Sequence, residues 1–144
     1  MTFGLLALMI AAAFASAAFY INFAEHPARI GLPVAYAIQQ WKPAYKQGFI
    51  LQASLAVTGG ACGLVQYFSE GSPLWLIGAL LLLANWPFTL LVIMPTNRKL
   101  LAMVDAPGPD AGDLLARWNR LHAVRTILGL ASAAILFAAA MDYA

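Results

Sequence analysis

The residues best equipped for chemistry in this chain are its two histidines and the polar side chains spaced around them. In Trp118-Asn119-Arg120-Leu121-His122-Ala123-Val124-Arg125, Trp118, His122 and Arg125 recur at intervals of four and three, which places them on one stripe of a helix. Asn119, His122 and Thr126 form an overlapping stripe. Upstream, in Asn22-Phe23-Ala24-Glu25-His26, Asn22 shares a helical face with both Glu25 and His26. Two imidazoles from different helices of a small bundle, His26 and His122, could ligate a b-type haem, with Arg29 or Arg125 available to a propionate. They are a poorer set for zinc or copper, whose sites take more ligands. Hydrolase signatures are missing from the sequence, which has no G-x-S-x-G and no H-E-x-x-H.

The elements that must position these residues are membrane helices. The 144 residues are 62% hydrophobic and only 10% charged, with a mean hydropathy of +0.78. A soluble domain is nearer about 25% charged. The length suits one membrane domain, 1–144. Crossing a bilayer takes about 20 apolar helical residues, and four windows qualify, at about 3–23, 48–67, 74–94 and 114–141. Backbone groups in lipid must be satisfied within the segment, so the expected fold is all-α, an antiparallel four-transmembrane-helix bundle. Ala15-Ser16-Ala17 has the look of a signal-peptidase site, but no basic residue precedes the apolar run. The first window therefore reads as a retained helix. The lone Cys62 reads as a small core residue.

Charge fixes the expected orientation. All eight Lys and Arg fall in or near the 24–47 and 95–113 connections, while Glu70 and Asp142 are the charged side chains of the opposite face. The positive-inside rule then puts both connections in the cytoplasm and both termini outside, in an inner (cytoplasmic) membrane.

Along the chain, Pro27 is expected to kink or end the first span, with Glu25 and Arg29 as an interfacial ion pair. The connection Ile30–Gln47 holds Pro33 and Pro43, and its Trp41 and Tyr45 suit the aromatic belt. Tyr45, Phe49 and Gln52 follow one face of the second span, and an amide as deep as Gln52 should face the bundle. Gly59 and Gly63 form a G-x-x-x-G spacing, a packing surface and a candidate face for a homo-oligomer. Asn85 and Thr89 lie inside the third span beside Pro87, and Met94-Pro95 is expected to end it. Thr96-Asn97 would then cap a short helix through Leu100–Val104.

In an antiparallel bundle these residues converge. Asn22, Glu25 and His26 come from the first helix, Tyr45 and Gln52 from the second, Asn85, Thr89 and Thr96 from the third, and Trp118, Asn119, His122 and Arg125 from the fourth. They build one polar pocket in the cytoplasmic half, with Phe23, Phe49, Trp86, Phe88 and Trp118 as expected walls. A flat apolar molecule arriving from the lipid would suit such a lining. The spans carry no mid-membrane carboxylate and no symmetric pair of broken helices, which argues against a channel or a proton-coupled transporter.

Asn22-Phe23-Ala24-Glu25-His26-Pro27-Ala28-Arg29, Trp41-Lys42-Pro43-Ala44-Tyr45, Gln52-Ala53-Ser54-Leu55, Pro87-Phe88-Thr89, Met94-Pro95-Thr96-Asn97 and Trp118-Asn119 with His122 and Arg125 resemble, in order and over nearly the whole chain, the DUF1772 or anthrone-oxygenase-like membrane family. The resemblance implies a membrane monooxygenase that oxidises an anthrone-like aromatic molecule with O2 and demands no metal or organic cofactor. On that implication His122 is the first choice of base and His26 the second, Arg125 pairs with the substrate anion, Gln52 and Asn85 orient its oxygens, and Trp118 stacks on it. Substrate contacts would extend to Asn22, Glu25, Tyr45, Thr89 and Asn119. The partners implied are a small lipophilic aromatic molecule, O2 and the lipid bilayer, with no nucleic acid. A redox protein with haem b on His26 and His122, and a non-catalytic scaffold or lipid-binding subunit, stand as the alternatives.

Overall fold

Four long helices carry the chain back and forth: α1 (Thr2–Ile30), α2 (Val34–Glu70), α3 (Pro73–Ala102) and α4 (Ala111–Met141). The computed structural model describes residues 1–103 and 105–142, and among them there is no strand. Val104, the expected end of a short helix, lies outside the described residues, as do Tyr143 and Ala144. Each helix is long and apolar enough to cross a membrane. Consecutive helices pack side by side and α4 closes against α1, which makes a four-cornered antiparallel bundle.

The helices run further than hydropathy alone indicates. α2 begins at Val34, after Pro33 in an extended conformation, instead of near Gly48. The connection from α1 shrinks to residues 31–33, and Pro43 sits inside α2. Its missing N–H strands only the carbonyl of Gln39, which is on an exposed face open to water or headgroups. Trp41, expected in the aromatic belt, is fully buried instead. At the far end Gly71 adopts φ 78° and its N–H bonds the Tyr67 carbonyl at 2.7 Å. Only glycine takes that left-handed stop without strain.

Pro27 does not end α1, and Pro95 does not end α3. A wide π-turn precedes each: the His26 N–H reaches the Ile21 carbonyl, and the Met94 N–H reaches that of Thr89. Inserting one extra residue moves the proline ring off the carbonyl it would otherwise strike and lets the helix continue. Thr96 and Asn97 are therefore buried helical residues, not caps. Pro87 is accommodated differently. α3 turns at Ala84, and the Asn85 Nδ2 donates to the Leu82 carbonyl at 3.0 Å, satisfying backbone loosened by the bend.

The two ends of the bundle are built differently. The end bearing few charges is close-packed around Ala11, Phe14, Ala56, Trp75, Leu82 and Leu136. Backbones meet there because glycine removes side chains. A Cβ on Gly60 would lie 2.5 Å from Leu83, one on Gly78 2.6 Å from Leu136, and one on Gly63 2.9 Å from Ala79. In lipid, close packing of this kind replaces the hydrophobic effect as the force between helices. It also corrects the dimer expectation. Gly59 seats against Ile10 and Leu82 and Gly63 against Ala79, so that face is spent within the chain and offers nothing to a second copy. The outward faces carry Phe19, Leu91, Ile127 and Phe137, exposed as lipid contacts should be. The other end has its own core of Ile38, Trp41, Ile93, Leu100 and Leu115. Lys42, Lys46, Arg98, Lys99, Arg117 and Arg120 are exposed there, whereas Arg29 and Arg125 turn inwards.

Candidate functional site

A polar layer lies between the two cores, and all four helices feed it. α1 supplies His26 and Arg29, α2 Gln52, α3 Asn85, Thr89, Thr96 and Asn97, and α4 His122, Arg125 and Thr126, every one of them buried. Both π-turns border it: Ile21 and Glu25 come from the first, Thr89 and Ile93 from the second. A π-turn rotates the side chains beyond it relative to a regular helix, and such turns cluster at functional sites.

At the heart of the layer is His122. Its Nδ1 lies 3.0 Å from the Asn22 Oδ1, which also accepts the Thr126 hydroxyl at 2.6 Å. The Asn22 Nδ2 donates to the Asn119 backbone carbonyl at 3.0 Å and to the Asn119 Oδ1 at 2.6 Å. A backbone carbonyl can only accept, so the Asn22 amide is fixed with its nitrogen towards Asn119 and its oxygen towards His122. Asn22 therefore requires a proton on Nδ1. Neutral His122 is left with its lone pair on Nε2, which has no protein partner among the described residues.

Trp118 stacks on His122 with ring centroids 5.0 Å apart and lies 6.1 Å from His26. The Arg29 guanidinium stands 5.6 Å from the centroid of the same indole. It is ion-paired to Glu25 and its Nε donates to Gln40 on α2. Trp118 also meets Trp41 edge-on at 5.9 Å, and Trp41 stacks on Tyr45 at 4.8 Å. The indole is thus held by neighbours on α1 and α2. A bis-histidine haem needs its macrocycle between the two imidazoles, and Trp118 packs against both of them. The described residues also contain no group of three or more His, Cys, Asp or Glu able to hold a metal ion.

The inner cavity is lined by Glu25, Tyr45, Phe49, Gln52, Ile93, Asn97, Trp118, His122 and Arg125, among others. A second, smaller chamber shares Phe49, Gln52 and Arg125 and adds Asn85, Thr89 and Trp86. The first has room of about 20 Å³ and the second about 10 Å³. That is space for one water molecule, against roughly 300 Å³ or more for an ordinary ligand site. The site is narrow.

Small as it is, the cavity is ringed by polar atoms that the protein does not pair. Of the atoms buried without a hydrogen-bond partner among the described residues, both amide atoms of Gln52, both of Asn97, the Arg125 Nε and the Arg29 Nη1 belong to residues lining the inner cavity. The Asn85 Oδ1 and Thr89 Oγ1 belong to residues lining the adjoining chamber, while the His26 Nδ1, Trp41 Nε1 and Gln66 Nε2 lie elsewhere. Arg125 has no carboxylate within ion-pair distance among those residues, although it is only 7% exposed, and its guanidinium rests over Phe14 at 5.6 Å. A buried cation without a counter-charge in the bilayer is costly, which points to an anion as its partner.

The expected residues divide into three groups. Glu25, Tyr45, Gln52, Trp118, His122 and Arg125 line the inner cavity, and Asn85 and Thr89 line the adjoining chamber. Asn22 and Asn119 stand behind His122 and hold it, instead of facing the cavity. His26 is buried beside Trp118 and does not reach the cavity wall. Of the expected aromatic walls, Phe23 is 72% exposed and stacks outward on Phe19 at 5.2 Å, and Phe88 packs into the core at the cation-bearing end. The main residue that sequence reasoning missed is Asn97. Its eight-residue distance from Thr89 would have placed it on the same stripe, but Pro95 pointed to a helix end. Arg29, expected at the interface, is buried.

A family model described as anthrone oxygenase matches residues 41–135. Among similar proteins, the anthrone oxygenase of Claviceps purpurea (strain 20.1) is 37% identical over 112 residues, covering 68% of this chain and 64% of that protein. Anthrone oxygenase ptaC of Pestalotiopsis fici is 28% identical over 126 residues, covering 77% of this chain and 89% of that protein. Anthrone oxygenase tpcL of Aspergillus fumigatus is 36% identical over 104 residues, covering 65% and 63%. The chain therefore spans less than two thirds of the Claviceps and Aspergillus proteins. No solved structure matches it.

Proposed function

This chain belongs to the anthrone oxygenase family, and we propose that it is a membrane monooxygenase that oxidises an anthrone-like phenolic substrate with O2 in the layer around His122. The observation that carries the reading is the set of unpaired buried polar atoms on residues that line the narrow inner cavity and its adjoining chamber. A network that only tied helices together would bond to itself. Gln52 and Asn97 instead hold donors and acceptors free, and Arg125 holds a free charge.

The chemistry follows from the atoms. His122 Nε2 takes a proton from the methylene carbon between the substrate rings, and the C–H electrons remain on the substrate as an anion delocalised onto its oxygen. Arg125 and the amide N–H groups of Gln52 or Asn97 stabilise that anion where the charge develops. The anion passes one electron to O2, and the resulting carbon radical and superoxide join in a C–O bond. Protonation gives a hydroperoxide. Loss of the second hydrogen with O–O cleavage releases water and leaves a ketone. Substrate plus O2 gives quinone plus water, all the electrons come from the substrate, and no metal or organic cofactor is demanded. Trp118 and Phe49 provide the flat walls against which fused rings stack. The exposed cations at this end of the bundle support a location in the cytoplasmic leaflet of a cytoplasmic membrane, with both termini outside.

The test is O2 consumption by detergent-purified protein with 1,8-dihydroxyanthrone, measured above the spontaneous oxidation of that compound. The expected result is a protein-dependent rate that disappears in His122→Ala and Arg125→Met. A wild-type rate equal to buffer alone would sink the reading.

A further inference from the structure

With room for about one water, the cavity must widen to admit a three-ring molecule, and the side from which such a molecule arrives matters. Directly outside the cavity, between α1 and α2, runs a groove of about 490 Å³. Groove and cavity share Ile21, Glu25, Ala44, Gly48 and Gln52, so one thin partition separates them. The groove adds Tyr20, Gln40 and Gln47 on its outer side. We propose that this α1–α2 groove is an outer binding site and access portal for a flat phenolic molecule arriving from the lipid, with Gly48 as the opening in its floor.

Three observations favour this seam. The first is its lining. Three glutamines, a tyrosine and Glu25 offer hydrogen bonds to phenolic hydroxyls, which an acyl chain would have no use for. The second is space. A Cβ on Gly48 would have the Ile21 Cδ1 as its nearest neighbour at 3.8 Å, ordinary contact, whereas six glycines elsewhere in the bundle would clash below 3.0 Å. Gly48 is thus not a packing glycine, and its missing side chain leaves the partition thin. The third is the α1 wall. Ile21 and Glu25 are the two ends of a π-turn, where a helix can change its winding at little cost. Glu25 and Gln40 both bond Arg29, which latches α1 to α2 across the seam. The opposite seam, α2 to α3, carries its own outer groove of about 400 Å³, crossed where the Trp86 indole N–H bonds the Ala53 carbonyl at 3.3 Å. Its only polar lining besides that indole is Ser54 and Thr58, whose hydroxyls are already bonded to the backbone, so it offers a phenol far less than the α1–α2 groove.

The inference deepens the oxygenase reading and rests on it for the identity of the substrate. The test separates the two by measuring binding apart from turnover. The probe is 1,8-dihydroxyanthraquinone, stable in air, added to protein in lipid nanodiscs while tryptophan quenching is followed by stopped flow. Gly48→Leu should slow association about tenfold, while the opposite-seam variant Ala53→Leu leaves it within about twofold of wild type. Equal rates for Gly48→Leu and wild type, slowing by Ala53→Leu instead, or no quenching in wild type would each overturn the portal. Turnover of the anthrone that ignores Gly48→Leu sinks the portal and leaves the oxygenase. Quenching slowed by Gly48→Leu in a protein that turns nothing over supports the portal and sinks the oxidation.

Discussion

The His122 Nδ1 lies 3.0 Å from the Asn22 Oδ1, a contact between α4 and α1 across 100 residues of sequence. Because Asn22 is itself oriented by the Asn119 carbonyl, this one bond decides which nitrogen of His122 can act as a base. Replacing Asn22 by Leu strands the His122 Nδ1 and the Asn119 side chain. The expected outcome is about 2 kcal/mol of lost stability and an oxygenase rate cut well below that of the folded wild type. Thermal unfolding followed beside O2 uptake checks both parts. His122→Ala should lose at least about a hundredfold in rate, the usual worth of a positioned base.

Gln52 and Asn97 lead to an opposite pattern. Neither side chain has a partner among the described residues, so both carry a desolvation cost that an apolar side chain of similar shape removes. Gln52→Leu and Asn97→Leu should each leave the protein as stable or more stable, by about 1 kcal/mol, while lowering the oxygenase rate. Melting temperature and turnover measured on the same preparation test this. A fall in stability would mean that these amides tie helices together and are not held for a ligand.

At the other end of the bundle the expected loss is purely structural. A side chain on Gly78 would run into Leu136 at 2.6 Å. Gly78→Leu should cost about 1–3 kcal/mol through overpacking and lower the melting temperature, leaving the KM of the fraction that folds unchanged.

Trp118 bears on the cofactor. With its indole against both His26 and His122, the protein purified in detergent should show no Soret band. An absorption spectrum decides the matter, and a band lost in both His26→Ala and His122→Ala would establish haem in place of the substrate reading.

Much of the bundle is legible in the sequence, but its helix ends are not. Hydropathy locates what lies in lipid, and it stops where helices leave the apolar layer. It therefore missed residues 34–47 of α2, and it assigned the residues after Pro95 to a separate short helix where α3 continues to Ala102. Prolines misled for a related reason. Pro27 and Pro95 read as breaks because proline forbids a regular turn, and the π-turns that rescue them have no residue signature in a single sequence. The same error hid Asn97, which read only as a cap residue of a separate short helix and not as part of a continuous α3.

Some conclusions belong to the sequence alone. Its apolar content requires membrane helices, because unbonded backbone cannot survive in lipid. Its stripe of Trp118, His122 and Arg125 requires that these three share a face, because a helix repeats every 3.6 residues. What faces what was decided only by the fold. Asn22 and Asn119 read as substrate contacts, and packing turned them into the support of His122. Gly59 and Gly63 read as a face for a second copy, and packing spent them on α1 and α3. Spacing along one helix sets relative directions within that helix. The rotation of each helix against its neighbours depends on side chains far apart in sequence, and that rotation determines which polar atoms meet each other and which are left unpaired.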